Sequence, residues 1–104
     1  MQVLTIDYVP NQEIKEVKGF VKGSTIRSKH VGKDIAAGLK SIVGGELTGY
    51  NEMLIEARQL AIGRMVEDAQ KLGANAIIGM RLHSAAITQG AAEVVAYGTA
   101  VVVE

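Results

Sequence analysis

Apolar and polar positions along the chain change period several times, and each change marks an element. Val3-Leu4-Thr5-Ile6 is a short β-prone run closed by Asp7-Tyr8-Val9-Pro10-Asn11, where the single proline sits among turn formers. From Ile14 to Ser28 the residues alternate. Val17, Gly19, Val21, Gly23 and Thr25 fall on one face, and Glu16, Lys18, Phe20, Lys22 and Ser24 mostly on the other, which predicts a half-buried strand with a polar side. Gly19 and Gly23 lie on the side expected to be buried. A missing side chain there lets a helix or another backbone approach closely, or permits a bulge.

Val31, Ile35, Leu39, Ile42 and Val43 recur at helical steps, predicting a helix over Val31–Val43 that Gly44-Gly45 stops. A longer helix follows from Gly49, with Thr48 or Asn51 as N-cap and Gly73 at the position of a left-handed C-cap. Tyr50, Met53, Leu54, Ala57, Leu60, Ala61, Ile62, Met65, Val66, Ala69 and Leu72 spread over roughly 240° of its circumference. That arc is too wide for one core, so the helix is expected to bury a second side against another copy of the chain. Glu52, Glu56, Gln59, Gly63, Glu67 and Gln70 form its water face. Ile77–Thr88 reads as a strand with Ile78, Met80 and Leu82 on one side, Gln89-Gly90 as a turn, and Glu93–Val103 as a valine-rich strand. In that last strand Ala96, Gly98 and Ala100 form a small face suited to a helix. The order β-β-α-α-β-β predicts an α+β domain spanning residues 1–104, an antiparallel sheet with two helices on one side.

Composition narrows the function classes. Of the 104 residues, 48% are apolar and only 4% aromatic, so the core is aliphatic. Eleven basic and eleven acidic side chains cancel and are dispersed, which lacks the electrostatic footprint of nucleic-acid binding. With no cysteine there is no disulfide, thiolate nucleophile or thiolate metal ligand. No apolar run reaches the ~20 residues of a membrane span, and the N-terminus shows no signal-peptide pattern. A soluble cytoplasmic protein is expected.

Among candidate chemical groups Arg58 stands out, because it falls inside the apolar arc of the long helix and a guanidinium is rarely buried unpaired. Glu46, Glu93 and Glu104 are its candidate partners. With Tyr50, Arg58 can bind a phosphate or carboxylate through its planar fork of donors, or it can bridge subunits structurally. Arg64 and Asp68 read as an i,i+4 pair without further chemistry. No serine lies in a nucleophile motif, and no glycine-rich stretch matches a phosphate loop.

Gly44-Gly45, Tyr50, Leu54, Ala57-Arg58, Ala61, Ala69, Leu72-Gly73-Ala74-Asn75-Ala76-Ile77-Ile78-Gly79 and Gly98-Thr99-Ala100-Val101 together resemble the YbjQ family of small bacterial proteins, over nearly the whole chain. The resemblance implies a dodecin-like subunit, a homo-oligomeric ring that is a pentamer, and a family label of heavy-metal binding without an assigned function. The residues depart from that label: soft metals prefer thiolates, and only His30 and His83 supply imidazoles, far apart in sequence. A metal ion is expected only if copies of His83 converge at a rotation axis. The leading expectation is a non-enzymatic homo-oligomer that binds a small ligand or ion between subunits, with Arg58, Tyr50 and Glu46 as ligand residues. The alternatives are an enzyme acting through those residues on a small anionic substrate, and a scaffold for a protein partner.

Overall fold

A computed structural model describes residues 1–28 and 48–104. Its sheet contains β1 (Gln2–Val3), β2 (Ile14–Ser28), β3 (Ala76–Thr88) and β4 (Ala91–Val103), in the spatial order β1-β3-β4-β2. The helix α1 (Thr48–Lys71) packs on β2 and β4 from one side. β4 is antiparallel to both neighbours, but β1 runs parallel to β3, so the sheet is mixed and not antiparallel throughout as expected. The cause is the route of the N-terminal segment. It crosses from the β3 edge to the β2 edge over the face opposite α1, and in crossing it buries Val9 against Ala76, Ile78, Val101 and Val103. A turn at Pro10-Asn11 redirects it, with Gln12 N–H donating to the Val9 carbonyl at 3.2 Å and Asn11 at φ 64°. Among the described residues the order is β-β-α-β-β with one helix, in place of the expected β-β-α-α-β-β. The second helix, expected over Val31–Val43, lies outside the described residues. No helix among them is long and apolar enough to cross a membrane.

The main core lies between α1 and the sheet. Met53, Ala57, Ala61, Met65 and Ala69, at steps of four, are the buried stripe of α1, and the last four of them meet Val21, Ile77, Val94, Ala96 and Ala100. Three alanines in that stripe allow a close approach, and Gly23 of β2 completes it. A Cβ at Gly23 would overlap the Ala61 carbonyl oxygen and the Met65 backbone nitrogen.

β2 departs from simple alternation at Gly19. Val17 pairs with Val101 and Gly19 with Ala100, so Lys18 is an extra residue, and Gly19 takes φ 119°, which favours glycine. The bulge reverses which residues face the core. Val17, expected on the buried side, is 63% exposed, whereas Val21, Gly23 and Thr25 beyond the bulge are buried as expected.

The end of α1 is fixed by its own backbone. Gly73 at φ 82° lets its N–H reach the Gln70 carbonyl at 3.0 Å and the Ala74 N–H reach that of Ala69 at 3.1 Å, a Schellman cap. Asn75 then ties the cap to β4: its side-chain amide donates to the Val103 carbonyl at 2.9 Å and accepts from the Val103 N–H at 2.8 Å.

Candidate functional site

Beside the buried stripe of α1 runs a second row, Tyr50, Leu54, Arg58, Ile62 and Val66, also at steps of four. All five are half-buried. Leu54, Ile62 and Val66 lean on the core, so Arg58 sits between apolar neighbours one turn either side. The expectation that Arg58 lies within the apolar arc therefore matches its place in the structure. Among the described residues no carboxylate pairs with it: the ion pairs there are Lys15–Glu13, Lys18–Glu16 and Arg27–Glu56. Two of its expected partners, Glu93 and Glu104, are thus not used within the chain, and Glu46 lies outside the described residues. Tyr50 and Arg58 share the row but are two helical turns apart, ~12 Å along the axis, with Leu54 between them.

His83 is elsewhere. On β3 it stands opposite Val95, which in turn stands opposite Ser24 of β2, so these three share one sheet face. That is the face away from α1. In a single chain the sheet separates His83 from the Arg58 row. Around His83 the same face carries Arg81 and Lys22 on either side of Tyr97, with Phe20 stacked at a tilt on Tyr97, ring centroids 6.3 Å apart. Ile26 and Phe20 on this face are 64% and 66% exposed.

Sequence reasoning did not find the cleft between the end of β2 and the start of α1. It has a volume of about 450 Å³ and is lined by Ile26, Arg27, Ser28, Gly49, Glu52, Met53 and Glu56. Arg27 Nη2 meets Glu56 Oε2 at 2.7 Å across it. Both groups are well exposed, and a pair of that kind contributes between zero and about 1 kcal/mol. The i,i+4 spacing of Glu52 and Glu56 was a signal for one shared helix face, and both are exposed there. Their meeting with Arg27 depends on a tertiary contact that no local pattern encodes. Arg64 and Asp68 also differ from expectation. Arg64 Nη1 donates to the Ser24 carbonyl at 2.7 Å, and Asp68 Oδ2 accepts the Lys22 N–H at 3.3 Å, so both serve the outer edge of β2.

A family model described as "YbjQ_1: Putative heavy-metal-binding" matches residues 1–104. The chain belongs to the YbjQ family. It is 65% identical over 104 residues to a UPF0145 protein of Clostridioides difficile strain 630, covering 100% of this chain and 93% of that one. A UPF0145 protein of Thermus thermophilus is 55% identical over 102 residues, covering 98% of this chain and 90% of the relative. Among solved structures, a protein of unknown function of the DUF74 family from Pediococcus pentosaceus aligns with a TM-score of 0.62 at 18% identity. The alignment covers 100% of this chain and 98% of that one. At that identity the likeness shows the fold alone.

Among the described residues the donor set of this YbjQ-family chain does not fit a heavy-metal centre within one subunit. The sequence has no cysteine and two histidines, and among the described residues no three His, Cys, Asp or Glu side chains gather at metal-binding distance. Zinc and softer ions need three or four such ligands.

Proposed function

We propose that this YbjQ-family chain works as a non-enzymatic homo-oligomer in the cytoplasm, a ring that is a pentamer in keeping with the family resemblance. It holds a small ligand or ion between subunits, with Arg58, Tyr50 and Glu46 as the ligand residues. The observation that carries this reading is apolar surface on both sides of the fold that is exposed among the described residues: Phe20, Ile26 and Ile87 on the sheet, Ile55 and Leu60 on α1. Single exposed apolar residues are ordinary, but several on two sides of one small domain support an association reading. In this reading a neighbouring subunit completes the half-buried Arg58 row. A guanidinium set among apolar side chains is well suited to an anionic group, a carboxylate or phosphate, because its fork makes paired hydrogen bonds in a poorly solvated setting.

An anion is better supported than a metal, since Arg58 is a donor without acceptor capacity and His83 is the lone imidazole among the described residues. Native mass spectrometry of the purified chain tests the reading. The expected spectrum is a single oligomer carrying a retained small molecule. Arg58→Ala is expected to leave the oligomer assembled and remove that molecule; a ring that falls apart assigns Arg58 a structural bridging role, and a monomeric wild type ends the proposal. An enzymatic role for the same residues would show as turnover of the retained molecule.

A further inference from the structure

The outer edges of the sheet are built differently. On β2, the Lys22 N–H and Ser24 carbonyl point away from β4, and α1 takes up both through Asp68 and Arg64. The same strand carries Lys15, Lys18 and Lys22 and has register shifts between Ile14 and Glu16 and between Val17 and Gly19. Charges and bulges of this kind are how natural sheets keep an edge from pairing. At the opposite edge the N-terminal segment accompanies β3 only at its start. Gly79 N–H donates to the Ile6 carbonyl and Met80 N–H to that of Leu4.

The groups left beyond Met80 follow from the register. Because Lys22 and Ser24 point outward, Val21, Gly23 and Thr25 bond to their partners Gly98, Ala96 and Val94. The intervening residues of β4, Tyr97, Val95 and Glu93, then bond to Arg81, His83 and Ala85. Leu82, Ser84 and Ala86 therefore direct their N–H and C=O groups away from the sheet. Leu82–Thr88 reads Leu-His-Ser-Ala-Ala-Ile-Thr, without acid, lysine, arginine or proline, and every one of these residues is exposed. Among the described residues this stretch has neither the lysines nor the side-chain hydrogen bonds that protect β2, and its one irregularity is a register shift between Ala86 and Thr88, at its far end.

We propose that Leu82–Thr88 is a pairing edge that takes up a strand from another copy of this chain, extending the sheet across a subunit boundary. The inference rests on the homo-oligomer reading and names the surface that makes it. The occupant is a copy because the unspent apolar surface is in two places, on the sheet around Phe20, Ile26 and Ile87 and on α1 at Ile55 and Leu60. A foreign peptide laid along β3 leaves the α1 surface in water. A second subunit brings its own unspent surface in equal measure, and the edge holds no acid, lysine or arginine that would demand an opposite charge from it.

Hydrogen exchange of the wild-type chain at residue resolution, with sedimentation velocity on the same sample, tests this. The expected result is an oligomer in which the Leu82, Ser84 and Ala86 amides exchange at least about a hundredfold more slowly than in an unstructured chain. An oligomer with these three amides exchanging freely overturns the edge pairing and leaves the ring reading standing. A monomer overturns both, whether or not the amides are protected. The double variant Ser84→Pro/Ala86→Pro removes two outward donors that the β3–β4 ladder does not use. Loss of assembled mass with an unchanged far-UV circular dichroism spectrum supports the pairing, and unchanged mass counts against it. If the variant does not fold, the wild-type exchange pattern decides.

Discussion

Gly23 of β2 lies directly beneath Ala61 of α1, so close that a methyl group at position 23 would occupy the space of the Ala61 carbonyl oxygen. The obstacle is backbone, which cannot rotate aside as a side chain would. Gly23→Ala is expected to cost about 3 kcal/mol by lifting α1 from the sheet. Gly63, exposed on the same helix with nothing near its missing Cβ, is the contrast. Gly63→Ala is expected to stabilise by about 0.5 to 1 kcal/mol through helix propensity. Urea denaturation of the two variants checks both signs; equal effects would mean that α1 does not rest on Gly23.

Asn75 substitutes for one rung of a ladder, both giving to and taking from the Val103 backbone. Asn75→Ala removes both bonds at once, and a loss of about 1 to 3 kcal/mol is expected. Asn75→Asp keeps the acceptor for the Val103 N–H and should lose less at neutral pH. Thermal unfolding of the pair distinguishes a paired amide from an incidental contact, for which both variants would match the wild type.

The Schellman cap predicts a separate effect at Gly73. With φ at 82°, any side chain is strained, and Gly73→Ala is expected to cost roughly 1 kcal/mol. Gly73→Asn should recover part of this, because asparagine tolerates the left-handed region better. A Gly73→Ala variant as stable as wild type would show that α1 ends differently in solution.

Arg64 and Asp68 guard the outer edge of β2, so removing them should act on association as well as on stability. Arg64→Ala loses an exposed hydrogen bond to Ser24, expected at about 0.5 to 1.5 kcal/mol. The double variant Arg64→Ala/Asp68→Ala uncovers the edge and is expected to form higher-order species above the wild-type assembly. Light scattering during slow heating reads this out; an unchanged size distribution would leave the pair with a purely stabilising role.

Metal binding through His83 needs imidazoles from several subunits, since the described part of one chain supplies no complete ligand set. If copies of His83 converge at a rotation axis, added zinc is retained by assembled species alone and His83→Ala abolishes it; with no such convergence neither species retains zinc. Zinc retained by His83→Ala at wild-type stoichiometry would place the site elsewhere.

The recognisable parts of the fold were those set by local chemistry. The long helix, its stop at Gly73, the β2 strand and the turn at Gln89-Gly90 follow from periodicity and from residues that tolerate unusual φ. The two roles offered for glycines on β2 were both realised, a bulge at Gly19 and a close helix approach at Gly23. Val17 is the exception: one inserted residue between Val17 and Gly19 inverts the pleat, and although Gly19 permits a bulge, nothing in the alternation itself requires one there. The sequence reading also failed on the direction of β1. Strand pairing is chosen by which route buries Val9, a comparison between distant segments.

The candidate site divides in the same way. Arg58 was legible as a charge inside an apolar arc because the helical wheel is a property of spacing alone. That Leu54 stands between it and Tyr50 follows from the same spacing. That the sheet separates it from His83, and that Arg64 and Asp68 turn to the β2 edge in place of each other, do not. Periodicity fixes what each element presents, since side-chain direction repeats with the local backbone. Only tertiary structure decides which presented groups meet, because edge position, register and face depend on contacts between residues far apart in the chain, and one extra residue in a strand exchanges its two faces.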